Sequence, residues 1–134
     1  MDKEERLLSL YARQYHFYRF ESMIKTLLMR KSVLKEKIEN EGWKELYLYG
    51  NDELCELTYE KLSEIIKIGG VIYEGKRERI AIPEKQRIKI ESLDDIDKDA
   101  IMLIATLRNG NEIRDKLSQF VDRDKIFFIN EFLL

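Results

Sequence analysis

Asp99-Ala100-Ile101-Met102-Leu103-Ile104-Ala105-Thr106 is almost continuously apolar and is followed within five residues by Gly110. A strand with one wet face alternates apolar and polar residues, whereas an unbroken apolar run is how a parallel strand covered on both faces reads. The segment is therefore expected as a central strand. Downstream, Asn111 is expected to cap a helix with Ile113, Leu117, Phe120 and Val121 turned inward. Lys125-Ile126-Phe127-Phe128-Ile129 follows as the last strand.

Upstream, the same alternation of strand and helix repeats back to Trp43. Glu45-Leu46-Tyr47-Leu48-Tyr49 is a strand ending at Gly50, after which Asn51 or Asp52 can cap a helix that buries Leu54, Leu57, Leu62, Ile65 and Ile66. Gly69-Gly70 is expected to stop that helix, and Val71-Ile72-Tyr73 to form the next strand. Short strands over 79–82 and 87–90 flank the turn at Pro83-Glu84, and a brief helix covers 92–96. Repeated strand–helix units with right-handed crossovers give an α/β fold with a doubly wound, mostly parallel sheet.

Residues 1–42 read differently. Apolar positions recur at helical spacing and residues 1–40 hold neither glycine nor proline. Leu8, Tyr11, Tyr15 and Tyr18 make one stripe, while Phe20, Ile24, Leu27, Leu34 and Ile38 make a second in another heptad phase. Either the chain bends near Arg19 into two helices, or one long helix carries a broad apolar face covered on two sides. Asn40 and Gly42 supply the stop. This divides the chain into an N-terminal helical segment, 1–42, and an α/β domain, 43–134. The surplus of apolar surface predicts a homo-oligomer formed through residues 1–40.

The 134 residues suit one ordinary domain with a small appendage, with 44% hydrophobic residues for a core and 37% charged ones for solubility. A net charge of −2 gives no wholesale attraction to nucleic acid or anionic membrane. No apolar run approaches the roughly 20 residues of a membrane helix, and the opening Met1-Asp2-Lys3-Glu4-Glu5 does not read as a signal peptide. A cytoplasmic location without membrane contact is expected. Cys55 and His16 are the only residues of their types, so neither an internal disulfide, a cysteine-based metal site nor a histidine-based triad is easily built. An enzyme is accordingly not expected.

In a doubly wound sheet ligands bind beyond the carboxyl ends of the strands, which directs attention to 50–55, 74–79 and 106–111. The run Tyr49-Gly50-Asn51-Asp52-Glu53-Leu54-Cys55 resembles Tyr-Gly-x-Gly-Glu-x-Gly, a variant dinucleotide fingerprint. That variant is found in the Rossmann-like domains attached to sugar C-methyltransferases and sugar O-acyltransferases of polysaccharide biosynthesis. The likeness extends over residues 32–130: a helix ending Glu-Gly-Trp-Lys, the strand and turn, a second strand ending in Glu74, Ser-Leu-Asp-Asp-Ile at 92–96, the strand at 99–105 and a helix opening Asn-Glu-Ile at 111–113. It implies a Rossmann-like, doubly wound, five-stranded sheet preceded by the helical segment, and a ligand of the nucleotide or nucleotide-sugar kind.

Only Gly50 of the three glycines is kept. The second, where backbone approaches pyrophosphate, is Asp52; the third, where helix packs on strand, is Cys55. A carboxylate about 4 Å from a phosphate repels it by roughly 4 kcal/mol at an effective dielectric of about 20, a loss on the order of a thousandfold in affinity. NAD is therefore not expected as a cofactor, and the site is expected to be degenerate. Glu74 stands 24 residues past Gly50, near the spacing at which an acid holds a ribose hydroxyl. Lys76, Arg77 and Arg79 can face phosphates, and Thr106, Arg108, Asn109 and Asn111 offer a hydroxyl, a guanidinium and amides opposite. The candidate binding residues are thus Gly50, Asn51, Asp52, Glu74, Arg77, Thr106, Arg108 and Asn109; these are binding groups, with no metal ligands or reacting pair among them. The alternative is a DNA-binding regulator, since residues 11–37 carry Arg13, Arg19, Lys25, Arg30, Lys31, Lys35 and Lys37 against Glu21 and Glu36. Nucleic acid is the less expected partner, because basic residues opposite an apolar stripe are commonly the wet face of a packed helix.

Overall fold

The structure, a computed structural model, describes residues 2–75 and 81–134. Two helices, α1 (Lys3–Leu28) and α2 (Lys31–Glu41), precede β1 (Glu45–Tyr49), α3 (Glu53–Leu62), β2 (Lys67–Tyr73), β3 (Arg87–Lys89), β4 (Met102–Ile104), α4 (Gly110–Leu117), β5 (Ile126–Phe128) and α5 (Ile129–Leu133). The five strands form one sheet in the order β3-β2-β1-β4-β5, and every neighbouring pair is parallel. This is the Rossmann-like α/β arrangement expected above, with β1 and β4 adjacent at its centre.

Alternate side chains of each strand enter different cores. Leu46 and Leu48 of β1, Val71 of β2 and Leu103 of β4 pack with α1, α2, α3 and α5 on one face. Tyr49, Ile72, Met102, Ile104 and Ile126 pack with Ile113 and Leu117 of α4 on the other. Met102, Leu103 and Ile104 are wholly buried, as the apolar run at 99–106 requires.

The N-terminal chain is two helices, but the break falls at Met29-Arg30 and not near Arg19. Both stripes run along it with different fates. Of the second stripe, Ile24, Leu34 and Ile38 are buried in the same core as β1 and β4, joined by Leu28, and Phe20 and Leu27 pack against it, whereas Leu8, Tyr11, Tyr15 and Tyr18 are exposed. The helix therefore need not bend where the stripes change phase, because the chain covers only one of them. Gly42, in the left-handed region at φ 71°, closes α2 as expected: its N–H bonds back to Ile38 and Glu39 carbonyls at 3.1 Å.

Four local expectations are corrected. Gly69-Gly70 does not stop α3, which ends at Leu62; both glycines lie inside β2. A Cβ at Gly69 would fall 2.6 Å from the Tyr47 ring, and one at Gly70 would run into Ile88, so the pair permits cross-strand packing. The cap of α4 is Asn109, two residues before the expected Asn111. Asn109 turns into the left-handed region at φ 56°, and Gly110 lets the first turn lie on Phe128, whose ring a Cβ would meet at 2.8 Å. The short helix expected at 92–96 is a 3₁₀ turn at Ile90–Ser92. Of the strand expected at 79–82, Arg79 and Ile80 lie outside the described residues, and Ala81 and Ile82 form a bend.

Candidate functional site at the reversal of strand order

From β1 the sheet grows outward through β2 and β3 on one side and through β4 and β5 on the other. The two halves part beyond the carboxyl ends of β1 and β4, where such sheets hold ligands. Tyr49 pairs with Ile104 across the two strands, so Gly50–Asp52 comes alongside Ala105–Arg108.

Asp52 is the hub of this turn. Its Oδ1 accepts the Cys55 N–H at 3.0 Å, capping α3, and its Oδ2 accepts the Thr106 hydroxyl at 3.2 Å. The Arg108 N–H donates to Thr106 Oγ1 at 3.4 Å, which links both strand ends through three residues. Gly50 sits directly beneath: a Cβ there would lie 2.6 Å from Cys55 Cβ, 2.8 Å from Cys55 Sγ and 3.2 Å from the Ala105 carbonyl oxygen. The position of the third fingerprint glycine is thus filled by a wholly buried thiol. Burial above all, then the Asp52 carboxylate, pushes that thiol up to about 12, with Arg87 acting in the opposite sense. Cys55 is consequently a packing group and not a nucleophile.

Asn51 is drawn away from the crevice centre. Its Oδ1 accepts from Arg87 Nη2 at 2.5 Å, and the Arg87 guanidinium lies 4.4 Å above the Tyr73 ring. Glu74 follows directly on β2, but Lys116 of α4 donates to its Oε2 at 3.0 Å and the Tyr49 hydroxyl bonds to the same carboxylate. Burial, followed by the Glu74 charge, drives the Tyr49 phenol upward, so it stays protonated and donates to Glu74. A ribose hydroxyl would have to compete with both. Asn109 opens α4 without a side-chain capping bond. Arg77, with Lys76 and Arg79, lies outside the described residues.

The sequence reading missed what α1 contributes. The Arg108 guanidinium rests 4.6 Å from the Phe17 ring centroid. Phe17, Leu54 and Leu107 form apolar walls, and Glu21, Asp52, Glu53 and Arg108 polar ones, around a pocket of about 260 Å³. No local pattern marks Phe17, one aromatic residue among several on α1, as the one that reaches the strand ends. Lys116 was equally silent, since a lysine on the wet side of a helix reads as solvation.

A larger hollow of about 470 Å³, with Trp43, Asp97, Asp99 and Lys125 among its lining, opens at the amino ends of the strands. It lies at the wrong end of the sheet for the binding geometry of this architecture. His16 is exposed on α1. Among the described residues no cluster of histidine, cysteine and carboxylates could hold a metal ion, and no helix is long and apolar enough to cross a membrane. Of the basic residues at 11–37, Lys25 pairs with Glu21 at 3.4 Å and Glu53 at 3.8 Å, and Lys31 with Glu64 at 3.5 Å. Comparisons with protein-family models, curated proteins and solved structures find no match to this chain.

Proposed function

We propose that this chain is a non-catalytic, accessory Rossmann-like binding domain whose dinucleotide site has degenerated and which takes a nucleotide sugar or a related ligand, in polysaccharide metabolism. The observation that carries the reading is the pocket beside Asp52. Carboxylates of Glu21, Asp52 and Glu53 are natural acceptors for sugar hydroxyls, Phe17 and Leu107 supply apolar surface, and Arg108 is the cation in the lining for a phosphate. The association with polysaccharide metabolism rests on the likeness of residues 49–55 to the variant fingerprint. NAD is not expected, because the fingerprint geometry would set its pyrophosphate on the α3 N-terminus, where the Asp52 carboxylate stands and Cys55 packs on Gly50; a nucleotide sugar fits only with its phosphate held at Arg108, away from that position.

Thermal unfolding in the presence of NAD, NADP, coenzyme A and a panel of nucleotide sugars tests this. A ligand at a hundred times its dissociation constant adds about 2.7 kcal/mol of stability. At least one nucleotide sugar is expected to raise the melting temperature, with Arg108→Glu abolishing the rise and NAD producing none. Stabilisation by NAD at micromolar levels would overturn the degenerate-site reading, and no response to any nucleotide sugar would overturn the ligand class. Salt-dependent affinity for duplex DNA, lost on reversing exposed α1 charges such as Arg13, would replace the proposal with the regulator reading.

A further inference from the structure

Only Ile24 and Leu28 of α1 are buried, and the helix meets the rest of the fold through α3 and α5. The outer face of the helix as far as Tyr18 stays clear of those contacts, carrying Leu8 (68% exposed), Tyr11 (63%), Tyr15 (59%) and Tyr18 (68%). At about 100° per residue these four lie on the side of the helix opposite Phe20, Ile24 and Leu28. A helix without tertiary packing is marginal in water, and a stripe of exposed leucine and tyrosine at alternating spacings of three and four is a seam of coiled-coil type. α2 is not part of this surface, because Leu34 and Ile38 are spent inside the chain's own core.

The charges beside the seam select its occupant. With Leu8 and Tyr15 at one core position of the heptad and Tyr11 and Tyr18 at the other, an antiparallel pair sets Leu8 against Tyr18 and Tyr11 against Tyr15 of a second copy. The flanking positions then place Glu5 opposite Arg19 twice, by symmetry, with the small Ala12 facing its own copy near the two-fold axis. Neither the Glu5 carboxylate nor the Arg19 guanidinium has an ion-pair partner in its own chain among the described residues. A parallel pair would leave both without opposite charges. The seam from Glu4 to Ser22 runs about 27 Å, and the buried Ile24 and Leu28 turn the folded body to the opposite side of the helix.

We propose that a second copy of this chain covers the outer face of α1, as an antiparallel, two-fold symmetric helix pair centred near Ala12 and closed at each end by Glu5 and Arg19. The test uses the full chain in sedimentation equilibrium at tens of micromolar. The wild type is expected to be a dimer, and Tyr15→Glu a folded monomer. Glu5→Arg and Arg19→Glu, each creating two like-charge contacts, are expected to raise the dissociation constant about tenfold, and the double exchange to restore it. Under oxidising conditions Ala12→Cys is expected to crosslink two copies and Leu8→Cys is not, Cys55 being buried and inert in both. A monomeric wild type overturns the proposal, whether α1 then meets another protein or a lipid surface. A dimer in which the charge exchange fails to restore affinity, or in which Leu8→Cys crosslinks instead of Ala12→Cys, overturns the antiparallel arrangement.

Discussion

Asp52 does two things with one carboxylate: it caps α3 through the Cys55 N–H and holds Thr106 across the gap between β1 and β4. Loss of an N-cap costs about 1 kcal/mol, so Asp52→Ala is expected to lower stability by that much or slightly more, measured as a shift in urea midpoint at constant slope. The cap was legible in the sequence because an Asx residue just before an apolar helical pattern has a mechanism. The bond to Thr106 was not, since it joins residues 54 apart that only the sheet brings together. Gly50 provides a sharper case. Its missing Cβ is the space occupied by Cys55 Cβ and Sγ, so Gly50→Ala is expected to cost about 1–3 kcal/mol by overpacking. Cys55→Gly in the same chain should recover part of that loss, leaving the contact with the Ala105 carbonyl unrelieved. A double-mutant cycle in denaturant checks it: strictly additive effects would mean that the two side chains do not share this space.

Among the elements, α1 divides into two parts with different work. Its last third supplies Ile24 and Leu28 to the core shared by β1 and β4, while its first two thirds carry exposed apolar residues. Ile24→Ala is expected to cost about 2–4 kcal/mol, and Leu8→Ala no more than about 0.5 kcal/mol at concentrations dilute enough to keep the chain monomeric. Comparing urea midpoints for the two variants checks the division; equal losses would show that the exposed part is packed after all. The two phases of the stripes were visible in the sequence, but their consequence was misjudged at Arg19. Periodicity reports which faces are apolar and not which of them the same chain covers. Nor did residues 1–40 advertise the break at Met29-Arg30, where neither glycine nor proline intervenes. Gly69-Gly70 was misread for the converse reason. Glycine punctuates local structure on average, yet here it accommodates Tyr47 and Ile88 from neighbouring strands, a demand set by tertiary packing.

For the molecule as a whole, one buried run at 102–105 sufficed to place a parallel strand at the sheet's centre, because only a strand covered on both faces tolerates such a run. The positions of Gly50, Asp52 and Thr106 at the strand reversal followed from that. The contribution of α1 to the pocket did not, because packing of one helix across α3 and α5 leaves no short-range signature. The same crevice also shapes how the fold responds to base. Burial holds the Cys55 thiol neutral up to about 12 against an ordinary value of 9.0, and burial with the Glu74 charge raises Tyr49 as well. In both cases the unfolded chain releases its proton first. The stability tied to these groups is therefore complete below pH 9 and is lost as pH rises toward the folded-state values. Lys67, raised by its bond and charge interaction with Glu45, acts in the same direction but is fully exposed. At pH 10, one unit above its ordinary value, Cys55 alone should cost about 1.4 kcal/mol relative to pH 8. Urea midpoints at pH 8, 9 and 10 measure this, with Cys55→Ala as the reference. The variant starts from lower stability, having lost a packed side chain, but should decline less between pH 9 and 10. Parallel decline of variant and wild type would show that the thiol is not what the fold protects from ionisation.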